Sequence, residues 1–252
     1  MKILLTNDDG IYADGLRLLL SELMGLGEIS IVAPATEQSA VGHAITLYNP
    51  LRVEVVKHNG EFFGYAINGT PADCVKIAVG ELLDEPPDLV VSGINRGANV
   101  GINVLYSGTV SAATEAVIIG IPGIAVSVGE YKNPRYDVAA RFTRRLAQVV
   151  LKEGLPPGTA LNVNIPNLPE EKILGVKFTR QSKSRFVERF ERREDPRKQP
   201  YYWQLVENIG PDLEYEDDVD IKALANGYIS ITPLHHDMTN LRALEYIRSW
   251  KF

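Results

Sequence analysis

Short, continuously apolar runs separated by amphipathic stretches constrain this chain more than any other feature. KILLT (residues 2–6), ISIVAP (29–34), DLVVSG (88–93) and GIAVSV (123–128) read as strands buried on both faces. Between them, GLRLLLSELMGLG (15–27) reads as a helix closed by glycine, and SGTVSAATEAVIIG (107–120) as another. A strand, a helix and a strand at this spacing form the unit of a parallel sheet, for which a right-handed crossover is expected. LRVEVVKHNGEFFGYAI (51–67) alternates about an Asn-Gly turn and predicts a hairpin inserted beside the sheet. In GTPADCVKIAVGELL (69–83), Thr70 suits a helix cap, Pro71 the first helical position and Asp73 the first turn. The helix expected over 133–154 places Val138, Phe142, Leu146 and Val149 on one face. ALNVNIP (160–166), ILGVKFT (173–179) and YISITPL (228–234) add strands, and TNLRALEYIRSWKF closes the chain as a helix. The alternation predicts an α/β fold with a doubly wound, mostly parallel sheet.

From about residue 181 the pattern changes. QSKSRFVERFERREDPRKQPYYWQL mixes charge with aromatic residues, and an acidic stretch, VENIGPDLEYEDDVDI, follows it; neither has a clean helical or strand period. The division expected is a catalytic core over 1–180, an extended arm over 181–227 and a strand and helix over 228–252. Tyr201, Tyr202 and Trp203 are costly to leave in water, which suggests that the arm packs on a neighbouring subunit. The 32 acidic against 26 basic side chains argue against a nucleic acid as the primary partner. Cys74 is the only cysteine, so neither an intrachain disulfide nor a thiolate cluster is available. The chain has no run of about 20 apolar residues and no signal-peptide layout, so a cytoplasmic protein without membrane contact is expected.

In doubly wound sheets, ligands collect beyond the carboxyl ends of the strands. Asp8 and Asp9 follow the first strand, Ser39 the second, and Asn95 the strand DLVVS. Two adjacent carboxylates repel each other and call for a positive partner. With a hydroxyl and an amide oxygen they form a hard, all-oxygen set suited to Mg²⁺, Mn²⁺ or Ca²⁺. Taken singly, each has a plainer reading, as a capped turn, a turn serine or a loop asparagine. Ser107, Gly108 and Thr109 open a helix where backbone amides and hydroxyls suit a phosphate, although an ordinary helix cap would look the same. The chain lacks the G-x-x-x-x-G-K-[ST] phosphate loop and the G-x-G-x-x-G dinucleotide spacing, which disfavours an NAD-dependent oxidoreductase.

LLTNDDGIYADG, APATEQSAVGHAITL, NGTPADCVKIA, VSGINRGANVGINVLYSGTVSAATEA and GYISITPL together resemble the SurE family of survival proteins, which act as 5′/3′-nucleotidases. The resemblance runs to about residue 130 and resumes at the C-terminal strand. It implies a Rossmann-like core with a C-terminal oligomerisation extension, partly exchanged between the subunits of a homodimer or homotetramer. It also implies one divalent metal ion per subunit, on Asp8, Asp9, Ser39 and Asn95, and a phosphate pocket at Ser107–Thr109. Nucleoside 5′- and 3′-monophosphates are the implied substrates, with short polyphosphate as a further one. Hydrolysis by metal-activated water then makes Asp8 and Asp9 the catalytic candidates. A covalent aspartyl-phosphate is the competing route, but the Asp-x-Asp spacing of such phosphatases is missing. His43, in the Ser39 loop, is the candidate general acid. The alternative function is a nucleotide- or phosphate-sensing module that uses the same site without turnover.

Overall fold

The computed structural model describes residues 1–183, 187–207 and 217–251. Its strands are β1 (Lys2–Thr6), β2 (Glu28–Pro34), β3 (Val53–His58), β4 (Glu61–Ile67), β5 (Leu89–Arg96), β6 (Gly123–Val128), β7 (Thr159–Ile165), β8 (Val176–Phe178), β9 (Val187–Glu194), β10 (Pro200–Glu207) and β11 (Ile229–His235). Its α-helices are α1 (Asp14–Leu23), α2 (Pro71–Ile77), α3 (Gly108–Ile118), α4 (Tyr136–Glu153), α5 (Asp220–Ala225) and α6 (Leu241–Ile247).

Nine strands form one mixed sheet in the order β3-β4-β2-β1-β5-β6-β7-β11-β8. From β4 to β7 all neighbours are parallel. The inserted hairpin adds β3 antiparallel to β4, and β11 runs antiparallel to β7. The chain leaves β1 for β2 on one side and returns to β5 on the other. The order therefore reverses between β1 and β5, which is where such a sheet opens a crevice for ligands.

Alternate residues of the central strands feed two cores. Ile3, Leu5, Val91, Ile124 and Val126 pack with Leu16, Leu19 and Leu23 of α1 and with Val138 and Phe142 of α4. Leu4, Val32 and Val90 pack on the other face with Cys74 and Val75 of α2 and Ala112 and Ala116 of α3. Each of the fully buried leucines of α1 contributes about 2 kcal/mol by leaving water.

These faces fix the hands of the crossovers. α3 and α4 carry the chain in the same direction across the sheet but lie on opposite faces, so their crossovers have opposite hands. The α1 crossover runs the other way on the face of α4 and shares the hand of α3. The right hand is the rule, so β6–α4–β7 is the left-handed exception to what the spacing predicts. It sets the first turn of α4 beside that of α1.

Other departures have local causes. The helix expected over 69–83 is α2 followed by one π-type turn, Ala78–Leu82. In α4, Val149 is 55% exposed, because Ala139, Thr143, Ala147 and Val150 centre the buried stripe and leave Val149 at its edge. The strand expected over 173–179 is regular only over Val176–Phe178, which runs parallel to β11. β9 and β10 form an antiparallel ribbon where no strand period is visible in the sequence. Alternation records burial of one face, and the aromatic residues of this ribbon are exposed, with Tyr202 at 60% and Trp203 at 56%. Residues 208–216, the centre of the acidic stretch, lie outside the described residues. β11 pairs with β7 and β8 of its own chain, and α6 buries none of its side chains. No helix among the described residues is long and apolar enough to cross a membrane.

Candidate metal and phosphate site

The β1 strand ends at the sheet's reversal point, and the next four residues make a tight turn. Asn7, fully buried, donates Nδ2 to the Gly10 carbonyl at 2.9 Å and accepts the Gly10 amide on Oδ1 at 3.2 Å. Those two bonds hold Asp8 and Asp9 at the crest of the turn. Asn7 was not singled out in the sequence, although an Asn followed three residues later by Gly is a known turn signal.

Asp8 faces α3 from below. Thr109 Oγ1 donates to Asp8 Oδ1 at 2.5 Å, and the Thr109 amide also faces the carboxylate. A Cβ on Gly108 would lie 2.7 Å from the Asp8 Cβ, so only glycine lets the helix terminus come this close. Burial nevertheless pushes the Asp8 carboxyl above its ordinary range, with the Thr109 bonds working against that rise. Ser107 spends its hydroxyl on the helix, accepting the Val110 amide at 3.1 Å. Of the phosphate-binding set read from the sequence, Ser107 thus caps the helix, Thr109 holds Asp8, and Gly108 lets the two segments approach.

The Asp9 carboxyl is pushed up to about 6, by burial first and then by the negative charge of Asp8. The Arg96 guanidinium works against this shift, and the Arg96 backbone amide, which faces the carboxylate, works the same way. Asp9 Oδ2 is buried with no hydrogen-bond partner among the described residues. So are Thr6 Oγ1, at the end of β1, and Ser92 Oγ, on the residue paired with Thr6 in β5. Arg96, inside the GINRG segment, is a second residue with no signal of its own in the sequence.

Asn95 lies near the end of β5, part-buried, and donates Nδ2 to the Gly97 carbonyl at 2.8 Å. This orients the amide and leaves Oδ1 as its remaining polar end. Ser39 is exposed and donates to Glu37 Oε1 at 2.5 Å. Its neighbour Gln38 donates its amide to the Asp8 carbonyl at 2.7 Å, which ties the Ser39 loop to the aspartate turn. The four candidate ligands therefore stem from segments that meet at β1 and β5, with the Ser39 side chain turned to Glu37. Among the described residues no three His, Cys, Asp or Glu side chains are grouped to hold a metal ion. A cation here must rely on two carboxylates and neutral oxygens. The orphaned Asp9 oxygen beside a second buried carboxylate fits such an ion, and the oxygen-only donors fit a hard one.

His43 is held away from the aspartates. Its Nε2 lies 2.7 Å from Glu115 Oε2, and Lys76 Nζ lies 3.1 Å from Glu115 Oε1. Glu115 is buried, and the His43 bond holds its carboxyl below the usual range, with burial opposing and Lys76 assisting. Six residues separate Glu115 from Thr109, about 9 Å along the helix. On the opposite side of the aspartates, the negative charge of Asp9 adds to burial in pushing the Tyr136 hydroxyl up to about 12. Tyr136 also lines an open cleft of about 490 Å³, with Asp14, Arg17, Leu18 and Pro134.

Comparison with known proteins places this chain in a family. Residues 3–188 match the family model described as survival protein SurE. A protein of Syntrophobacter fumaroxidans named 5′-nucleotidase SurE is 55% identical over 252 residues, covering 99% of each chain. One of the same name from Syntrophus aciditrophicus is 54% identical, covering 99% of this chain and 93% of its own. The crystal structure of the SurE protein from Aquifex aeolicus superposes with a TM-score of 0.86 at 42% identity, covering 98% of both chains. The match spans the sheet, the aspartate turn and the α3 terminus alike, and the chain belongs to the SurE family.

Proposed function

We propose that this chain is a divalent-metal-dependent phosphomonoesterase that hydrolyses nucleoside 5′- and 3′-monophosphates to nucleoside and phosphate. Short polyphosphate, which presents the same terminal phosphoryl group, is a further substrate. The names carried by the relatives support the nucleotidase reading. The observation that carries the metal reading is the buried, unpartnered Asp9 Oδ2 beside the buried Asp8.

Asp8, Asp9, Ser39 and Asn95 would hold one Mg²⁺, Mn²⁺ or Ca²⁺ ion per subunit, Ser39 after turning from Glu37. When bound, the ion supplies Lewis-acid charge for the phosphoryl oxygens and acidifies water near neutral pH. The chain's own groups do the rest. The amides at Gly108 and the positive end of α3 offset charge on the phosphoryl oxygens. Arg96, already close enough to act on Asp9, adds a cation on the strand-end side. Asp8 and Asp9 orient the attacking water in line with the ester bond. As the phosphorus–oxygen bond to ribose breaks, the leaving oxygen takes a proton, and His43 is the proposed donor once it rotates from Glu115. The aromatic ribbon of β9 and β10, with the unburied α6, is proposed as subunit contact in a homodimer or homotetramer.

The test is phosphate release from adenosine 5′-monophosphate with Mn²⁺, then with excess chelator. Turnover that chelator abolishes and Mn²⁺ restores supports the proposal. Tight nucleotide binding without phosphate release would instead establish the sensing module.

A further inference from the structure

The loop from β6 to α4 carries an aromatic side chain that the chemistry above leaves unused. A Cβ built on Gly97 would lie 2.4 Å from Tyr131 Cζ and 2.7 Å from its Cε1 and Oη. The Tyr131 ring therefore rests directly on the Gly97 backbone. Gly97 has φ +105°, in the left-handed region, so both its conformation and the ring above it demand glycine. Yet Tyr131 is 69% exposed, so the other side of the ring is open.

This is a supported shelf. The Tyr131 and Lys132 amides both donate to Glu130 Oε1, at 2.7 and 2.9 Å, which pins the turn beneath the ring. Asn167 clasps the far end of the loop, donating to the Asn133 carbonyl at 3.3 Å and accepting the Arg135 amide at 2.7 Å. The floor of the shelf is shared with the site, because Asn95 donates to the Gly97 carbonyl and the Arg96 amide faces Asp9. One residue of chain, ~3.8 Å between successive Cα atoms, separates the Asp9 contact from the ring support.

We propose that Tyr131 is the nucleobase platform of this site, stacking the base of a nucleotide whose phosphate lies at the aspartate turn. The inference rests on the nucleotidase reading above and adds the residue that grips the nucleoside. A ring face offers no donor or acceptor pattern, and every base has a π-face, so the platform favours nucleotides over base-free phosphates while discriminating weakly among bases.

The experiment compares adenosine 5′-monophosphate with ribose 5-phosphate in the wild type, Tyr131→Ala and Tyr131→Phe. Dissociation constants are read by calorimetry with chelator present, and kcat/KM with Mn²⁺. Tyr131→Ala is expected to lower the preference for the nucleotide by about 10-fold in both readings, mainly through KM, whereas Tyr131→Phe keeps it. An unchanged preference in Tyr131→Ala overturns the platform, as does an equal loss in Tyr131→Phe, which would assign the effect to the hydroxyl. Failure of the wild type to release phosphate from either compound overturns the nucleotidase reading, while the calorimetric preference still decides the platform.

Discussion

Thr109 Oγ1 donates to Asp8 Oδ1 at 2.5 Å, and this bond joins the first turn of α3 to the first strand's end across 101 residues of sequence. The threonine sits where a phosphate-binding group was expected, and its hydroxyl aims the carboxylate. Thr109→Val keeps the shape and removes the donor, while Thr109→Ser keeps the donor. Orienting partners of this kind are worth about 10–100-fold in metal affinity or activity. Thr109→Val should lose that much in Mn²⁺ affinity and turnover with an unchanged circular dichroism spectrum, and Thr109→Ser should recover most of it. Equal activity in wild type and Thr109→Val would show that Asp8 needs no such support.

With the proposed metal on Asp9, its carboxyl would link cation binding to pH. Its value of about 6 in the fold exceeds the ordinary aspartate value of about 3.9. A raised carboxyl favours the protonated fold, so its contribution is complete below about pH 3.9 and is lost as pH rises through about 6. Burial moves Asp8 in the same direction. A cation reverses the balance, because it favours the ionised form. Mn²⁺ should therefore raise the melting temperature more at pH 7.5 than at pH 5, read by scanning calorimetry. Asp9→Asn should melt higher than wild type in chelator at pH 7.5, show little response to Mn²⁺ and lose phosphate release by orders of magnitude. Equal Mn²⁺ increments at both pH values would remove Asp9 from the ligand set.

The sheet was legible because its strands announce themselves. KILLT and DLVVS are apolar on both faces, and the Asn-Gly of the inserted hairpin fixes a turn without reference to anything distant. The capping box of Thr70 and Asp73 was readable for the same reason, since its partners lie three residues apart. What resisted reading depends on separated segments. Nothing local shows that Glu115 receives both His43 and Lys76, or that Tyr131 settles on Gly97. The hand of the α4 crossover is set by which face its alanines seat, and composition is blind to that. The β9–β10 ribbon escaped because neither of its faces is committed to the sheet's cores. Polar orientation is the other blind spot. Ser39 was placed correctly on a strand-end loop, but its hydroxyl bonds Glu37, two residues away.

The role proposed for His43 and the contact it makes place opposite demands on it. As the proposed proton donor it must reach the leaving oxygen, while at rest Nε2 lies 2.7 Å from Glu115 Oε2. A general acid contributes about 10²–10⁴-fold, and only where the departing oxygen is too basic to leave unaided. His43→Gln should therefore slow phosphate release from adenosine 5′-monophosphate by about 100-fold, while p-nitrophenyl phosphate, whose leaving group needs no proton, keeps most of its rate. A clip holding the Ser39 loop behaves otherwise. Losing the clip would let the loop that bonds the Asp8 carbonyl through Gln38 drift, and both substrates would slow together. Steady-state rates for the two substrates, with Glu115→Gln as a second variant that weakens the tether but keeps the imidazole, separate these outcomes. A parallel loss on both substrates in His43→Gln would withdraw the acid assignment and leave His43 as a support for the loop.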